Sequence, residues 1–271
     1  MSARPGLAGP KAQDKALAPA VAVERQGRAA TLTLDRPPLN ILDLAALAEL
    51  GEAVAALARD SDLQLVVVRG AGPKAFSAGV SVEDHTPEKL PEMLRRFHGA
   101  LEALRGLPAI TLAAVHGHCL GGGMELAMAC DLVLAAEDAR FGQPEVELGC
   151  FPPYAAALYP AKLGASRTLD LLATGRTLAA AEAERLGLVT WLAPAGRLDE
   201  RLAELVATLT AKSATVTRII KQAVAAGTSL PFAEALAASE RLYLEDLATT
   251  SDMAEGLAAF LAKRPPAWKH R

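Results

Sequence analysis

The stretch LQLVVVRG, residues 63–70, holds Leu65, Val66, Val67 and Val68 in an unbroken apolar run. A strand with one wet face alternates apolar and polar side chains. A continuous β-branched run instead predicts a strand buried on both faces. AITLAAVHG (109–117) and DLVLAA (131–136) repeat the pattern. Helical stretches lie between them. From Asp43, an N-cap residue type, apolar side chains fall at Leu44, Leu47, Leu50, Val54 and Leu57, a one-sided helix ending near Asp60. PEKLPEMLRRFHGALEALRG (87–106) is a second helix, with Pro91 tolerable only in its first turn. Strands alternating with helices as far as residue 136 imply right-handed crossovers and a largely parallel sheet, an α/β fold. Ahead of them, VAVERQGRAATLTLD (21–35) predicts two short strands around Gln26-Gly27. Beyond about residue 150 the strand signal fades. Residues 153–262 are expected to be mainly helical, with GLVTWLAP (187–194) as a short strand.

Bulk properties exclude several functions. No apolar run approaches the roughly 18–20 residues that a membrane helix needs. A net charge of −3 and a pI near 6.0 argue against a general polyanion or nucleic-acid binder, while leaving room for a local basic patch. Cys119, Cys130 and Cys150 are odd in number and without paired spacing, which fits reduced thiols in a cytoplasmic protein. Residues 1–20, rich in Pro, Gly and Ala, lack the apolar core of a secretory signal and are expected to form a flexible tail.

Three stretches carry candidate chemistry. CLGGGMELAMACD (119–131) sets three glycines before a helix, with Glu125 following at once. A helix start presents unpaired N–H groups and partial positive charge, and glycine lets a ligand atom reach them. The run therefore suits an oxygen that gains negative charge; close helix–sheet packing is the other reading. A phosphate-binding P-loop is excluded because Met124-Glu125 stands where Lys-Ser/Thr is needed, and G-x-G-x-x-G is not matched. KAFSAGVSVEDH (74–85) is a loop whose Ala78-Gly79 pair could turn the Val80 N–H into a cleft, or an ordinary turn. Ala75 rules out a G-x-S-x-G nucleophile elbow. In FGQPEVELG (141–149), Pro144 fixes the backbone before Glu145. Glu125 and Glu145 are either solvated surface groups or two carboxylates facing one pocket, where burial and repulsion would separate their pKa values into a base and an acid. His116 and His118 lack a third ligand at metal spacing, so no metal site is expected. Leu236, Leu242, Leu247 and Tyr243 form a helical stripe expected in the core or at a subunit contact.

Together these stretches resemble the crotonase (enoyl-CoA hydratase/isomerase) superfamily. The resemblance runs from about residue 21 to the end, through DRPPLNILD, AFSAGVSVEDH, GHCLGGGMELAMACDLVLAAEDARFGQPEVELG, LLATGRTLAAAEAERLGLV and GLAAFLAKRPPAW. It implies a crotonase-like ββα superhelix over 21–205 and a helical trimerisation section over 206–271, assembled as a homotrimer or homohexamer. It also implies that the amides of Val80 and Gly122 form an oxyanion hole for a CoA thioester, at about 3–4 kcal/mol per donor. By the same resemblance Glu125 activates water and Glu145 protonates the carbon α to the thioester, with no cofactor beyond the CoA carried by the substrate. Leu39, Ala78, Pro153 and Tyr154 fall at substrate-binding positions, and Lys263 at one that can reach a neighbouring subunit's CoA phosphate.

The chain departs from short-chain hydratases after Glu145, reading CFPPYAAAL where those enzymes usually have IPGAGG. Pro153 occupies a glycine position whose amide helps hold the catalytic water, and Pro has no N–H to give. With GVSVEDHTPEK and VHGHCLGGG, the FPP segment resembles the cyclohexa-1,5-dienecarbonyl-CoA hydratases. The expected activity is hydration of an α,β-unsaturated, alicyclic acyl-CoA. The alternatives are an ordinary short-chain enoyl-CoA hydratase or isomerase, and a non-catalytic acyl-CoA- or RNA-binding relative.

Overall fold

A computed structural model of the protein describes residues 19–271. The expected N-terminal tail falls outside the described residues except at its end. There Ala20 is buried and its N–H donates to Glu49, so the fold begins at least one residue before the boundary expected at 21.

The hairpin of β1 (Val21–Gln26) and β2 (Ala29–Leu34) forms around the expected Gln26-Gly27 turn, with Gly27 at φ 58°. Helix α1 (Leu44–Ala58) starts where Asp43 accepts from the Ala46 N–H at 2.7 Å, satisfying one orphan donor of the first turn. Three ββ units follow. They are β3 (Leu65–Gly70) with β4 (Ala75–Ser77), β5 (Ile110–Val115) with β6 (His118–Leu120), and β7 (Leu132–Ala136) with β8 (Arg140–Gly142). Helix α2 (Leu90–Arg105) joins the first unit to the second, and α3 (Gly122–Ala129) joins the second to the third. After β8 come α4 (Pro153–Leu163), α5 (Ala165–Thr174), β9 (Thr177–Ala179), α6 (Ala180–Arg185) and β10 (Trp191–Ala193). The chain ends with α7 (Leu198–Thr210), α8 (Ala214–Ser229), α9 (Phe232–Arg241) and α10 (Ser251–Leu261).

The strands sort into two sheets. The larger runs β1-β2-β3-β5-β7-β10, parallel except for the hairpin, and the smaller runs β4-β6-β8-β9, parallel except for β9. Each ββ unit puts its first strand in one sheet and its second in the other, which is the superhelical ββα arrangement. The apolar run of β3 is covered on both faces as expected. Val66 and Val68 join the core under α1 and α2, while Leu65 and Val67 join a second core with Leu202 and Leu205 of α7. Each such side chain contributes about 2 kcal/mol of burial.

The residue reading missed the smaller sheet. Residues 75–77, read as part of a loop, 118–120, at the approach to the glycine run, and 140–142, at the start of the irregular segment that carries Glu145, are strands, and so is 177–179 within the stretch expected to be mainly helical. Three residues are too few to show a period of two. The Leu236/Tyr243 stripe is not core within this chain, since both residues are about half exposed; subunit contact is the reading that remains.

Candidate active site

Three consecutive strands of the smaller sheet deliver the site. At the end of β4 the chain turns through Ala78, Gly79 and Val80; at the end of β6 it enters Gly121 and Gly122; at the end of β8 it passes Gln143 and Pro144 to Glu145. All three exits lie at the C-terminal ends of adjacent parallel strands.

The first exit is held by a buried polar latch. The Asn40 side-chain N–H donates to the carbonyls of Ala71, Ala75 and Phe76, and the Ser77 hydroxyl donates to the Asn40 carbonyl at 2.8 Å. Ser77 Oγ in turn accepts from the Gly79 N–H at 3.1 Å. The Ala78 N–H donates to Leu39 O, half-buried Leu39 thereby fixing the start of the turn. Leu42 bridges to Val80 in parallel, and the bonds used are Leu42 N–H to Gly79 O and Ser81 N–H to Leu42 O. That pattern turns the Val80 N–H to the opposite side, where it meets no acceptor among the described residues.

The second exit explains the glycine run. Gly121 has φ 52°, and a Cβ there would stand 2.9 Å from Glu145 Oε1. A Cβ on Gly122 would meet Val80 Cγ2 at 2.8 Å and Phe97 at 3.0 Å; on Gly123 it would meet Ser77 O at 2.3 Å. Gly123 thus serves close packing, and the absence of a Cβ on Gly122 leaves room beside Val80 and Phe97. Gly122 is the first residue of α3, and its N–H is an orphan donor with no acceptor among the described residues. Gly79 completes the corner, since a Cβ on it would lie 3.0 Å from Gly122 N.

Of the two carboxylates, Glu145 lies against Gly121, and Glu125 is buried within electrostatic reach of Glu145. Glu125, in the first turn of the wholly buried α3, is 3% exposed. Its Oε1 accepts from the Ala155 N–H at 2.8 Å, and the Tyr154 amide also bonds to the carboxylate. Burial pushes its pKa up to about 7 against these bonds, with Glu145's charge adding to the rise. Glu145 sits on the 3-10 turn 144–148, and burial pushes it up to about 7 as well. Two carboxyls that sense each other and titrate near neutrality can hold one proton between them, so one can take a proton while the other gives one. The surface-glutamate reading is thereby corrected for both.

The FPPY segment has a specific job. Pro152 is the N-cap of α4 and Pro153 its first residue, where a missing N–H costs the helix no bond. The next two amides, Tyr154 and Ala155, are the ones that reach Glu125. The Tyr154 ring turns toward α2, its hydroxyl donating to Glu102 at 2.8 Å and its ring lying 5.9 Å from that of His98. Lys263 lies at the exposed end of α10 with φ 51°, its N–H bonded locally to Phe260 O, and this chain does not bring it to the site. His116 Nε2 pairs with Gly72 O at 2.7 Å. No cluster of three or more potential metal ligands occurs among the described residues.

Two fully buried residues escaped the sequence reading: Gln143 and Tyr159. Gln143 stands between β8 and Glu145, and its side chain lies 2.6 Å from the Tyr159 hydroxyl. With its oxygen toward Tyr159, its NH2 donates to both Glu145 oxygens, at 3.1 and 3.2 Å, and to Gly121 O at 3.2 Å. The opposite orientation would aim a carbonyl at three acceptors, so the network fixes the first. A polar residue two before Glu145, next to the buried Phe141-Gly142, was the available signal.

The Enoyl-CoA hydratase/isomerase family description matches residues 24–271. The chain belongs to the enoyl-CoA hydratase/isomerase family. Cyclohexa-1,5-dienecarbonyl-CoA hydratase of Thauera aromatica is 38% identical over 255 residues, covering 92% of this chain and 96% of its own length. Short-chain-enoyl-CoA hydratase of Clostridium acetobutylicum is 32% identical over 250 residues, covering 90% and 95%. The solved enoyl-CoA hydratase of Bacillus anthracis superposes with a TM-score of 0.88 at 30% identity, covering 93% of this chain and 100% of that one. Family membership makes the chain an enzyme of enoyl-CoA hydratase type, a hydro-lyase on the crotonase fold.

Proposed function

We propose that this enzyme adds water to an α,β-unsaturated acyl-CoA whose acyl group is an alicyclic diene. The observation that carries hydration is the pairing of two amides that meet no acceptor among the described residues, Val80 and Gly122, with two carboxyls lifted to about 7. The thioester oxygen accepts from both amides, and their hold strengthens as that oxygen gains enolate charge. Ionised Glu125 takes a proton from water as its oxygen bonds to the β carbon. Protonated Glu145 gives its proton to the α carbon, and the enolate collapses to the hydroxyacyl thioester. Glu125 ends protonated and Glu145 ionised, and exchange with solvent resets the pair. The step adds the elements of water across the double bond with no net oxidation or reduction, and is expected to need no metal or redox group.

The ring preference rests on Pro153. A linear substrate's water is expected to need the amide that proline lacks, and the relative from Thauera aromatica bears the name of a diene-ring hydratase. We place the enzyme in the cytoplasm as a trimer or pair of trimers, with Lys263 reaching CoA across a subunit boundary. Parallel absorbance assays with crotonyl-CoA and cyclohexa-1,5-diene-1-carbonyl-CoA test the substrate. Fast turnover of the diene with slow crotonyl-CoA hydration is expected; the reverse would make this an ordinary short-chain hydratase. Glu125→Gln and Glu145→Gln are each expected to lower kcat at least about 100-fold. Unchanged rates would remove them from the mechanism.

A further inference from the structure

Tyr159 is a polar side chain in a place that asks for none. It is fully buried on α4, and burying a phenol hydroxyl carries a desolvation cost unless the group is bonded. Its hydroxyl lies 2.6 Å from Gln143, itself fully buried. We infer that Tyr159 is a positioning residue for the hydration proposed above: its hydroxyl fixes which way the Gln143 carboxamide faces, and so holds a donor against Glu145.

A carboxamide is nearly symmetric in shape but not in hydrogen-bonding chemistry. Gln143 has an oxygen at one end of its carboxamide and an NH2 at the other, in nearly the same shape. What separates the two orientations is the set of groups it faces. On one side are Glu145 Oε1, Glu145 Oε2 and Gly121 O, all acceptors when the carboxyl is ionised; on the other is the Tyr159 hydroxyl, which can donate. While the hydroxyl donates to the Gln143 oxygen, the NH2 faces the carboxyl. Without the hydroxyl, the oxygen end loses its donor and the amide can turn over against a protonated Glu145. The ionised form of Glu145 is then less favoured.

Helix α4 gives this relay its reach. Ala155, whose amide holds Glu125, and Tyr159 are four residues apart, on one face of the helix. One rigid element therefore holds both carboxyls: Glu125 directly through its first-turn amide, and Glu145 one turn later through Tyr159 and Gln143.

The test uses the full-length enzyme as wild type, Tyr159→Phe, Gln143→Met and the double variant. Tyr159→Phe is expected to lower kcat about tenfold with KM held within about twofold. It is also expected to move the alkaline limb of the pH–rate profile, where the shared proton is lost, upward by about half a unit. The double variant is expected to match Gln143→Met alone, since both changes break one chain of bonds. A direct readout is the infrared carboxyl band that disappears in Glu145→Gln. It is expected to titrate at higher pH in both single variants than in wild type. Wild-type kcat with an unshifted band in Tyr159→Phe, or additive losses in the double variant, overturns the inference. Because the band needs no turnover, it decides the role of Tyr159 even if wild type hydrates neither thioester, an outcome that would sink the functional reading instead.

Discussion

Glu125 is a carboxyl placed where ionisation is costly, and this has a consequence for stability as well as rate. Its folded pKa of about 7 lies above the ordinary 4.5, so between those values the folded protein binds a proton that the unfolded chain has already released. Stability from this group is complete below about pH 4.5 and is lost as pH rises through 7. A lift of this size corresponds to about 3 kcal/mol. Glu125→Gln keeps an oxygen for the Ala155 N–H but does not titrate. Its Tm relative to wild type is therefore expected to be higher at pH 8 than at pH 5, measured by calorimetry on both proteins. A difference that does not change with pH would mean that Glu125 does not titrate in that window. At this scale the sequence exposed the glycines and glutamates because glycine runs before a helix are rare and costly. It hid Gln143 and Tyr159, whose importance depends on which groups they face after folding. It also could not tell a solvated Glu145 from one backed against Gly121.

Among the elements, α4 sets which amides reach Glu125. Pro153 starts the helix, so the first amides into the site are those of Tyr154 and Ala155, and both are engaged by Glu125. Pro153→Gly restores an N–H one residue earlier. It is expected to raise kcat/KM for crotonyl-CoA several-fold, about 1 kcal/mol of transition-state stabilisation, while leaving diene turnover the same or lower. No gain on crotonyl-CoA would show that the missing amide does not set the preference. Legibility at this scale followed length. The six-residue β3 and β5 and the amphipathic α1 and α2 announce themselves through burial patterns that repeat over several residues. The three-residue β4, β6 and β8 do not, because their pairing rests on neighbours far away in sequence. The chemistry happens to leave from those short strands.

Over the whole molecule, large apolar side chains on the C-terminal helices are left without cover by the described residues. Phe232 is 82% exposed, Phe260 and Leu261 81% each, and Leu244 68%. A lone soluble molecule rarely presents so many together, and self-association is the economical way to bury them. Light scattering of the purified protein is expected to give a mass near three or six chains. Phe232→Glu with Phe260→Glu is expected to shift it toward one, and a monomeric wild type would contradict the assembly proposed here. The sequence showed that Leu236 and Tyr243 belong to one apolar stripe. Only the fold shows that the stripe is left about half exposed by the described residues.

The smaller sheet also acts as a ruler. Neighbouring strands stand about 4.8 Å apart. The Val80 and Gly122 amides leave the ends of adjacent strands β4 and β6, and so inherit a separation of that order. An oxygen about 2.9 Å from both nitrogens then sees them at an angle of about 110°, close to the spread of its lone pairs. Donors from β4 and β8, two spacings apart, could not share one atom. Instead β8 brings Glu145 to the neighbouring position, one strand spacing beyond Gly122. Across the sheet, the order β4, β6, β8 is also the order in which Val80, Gly122 and Glu145 leave it.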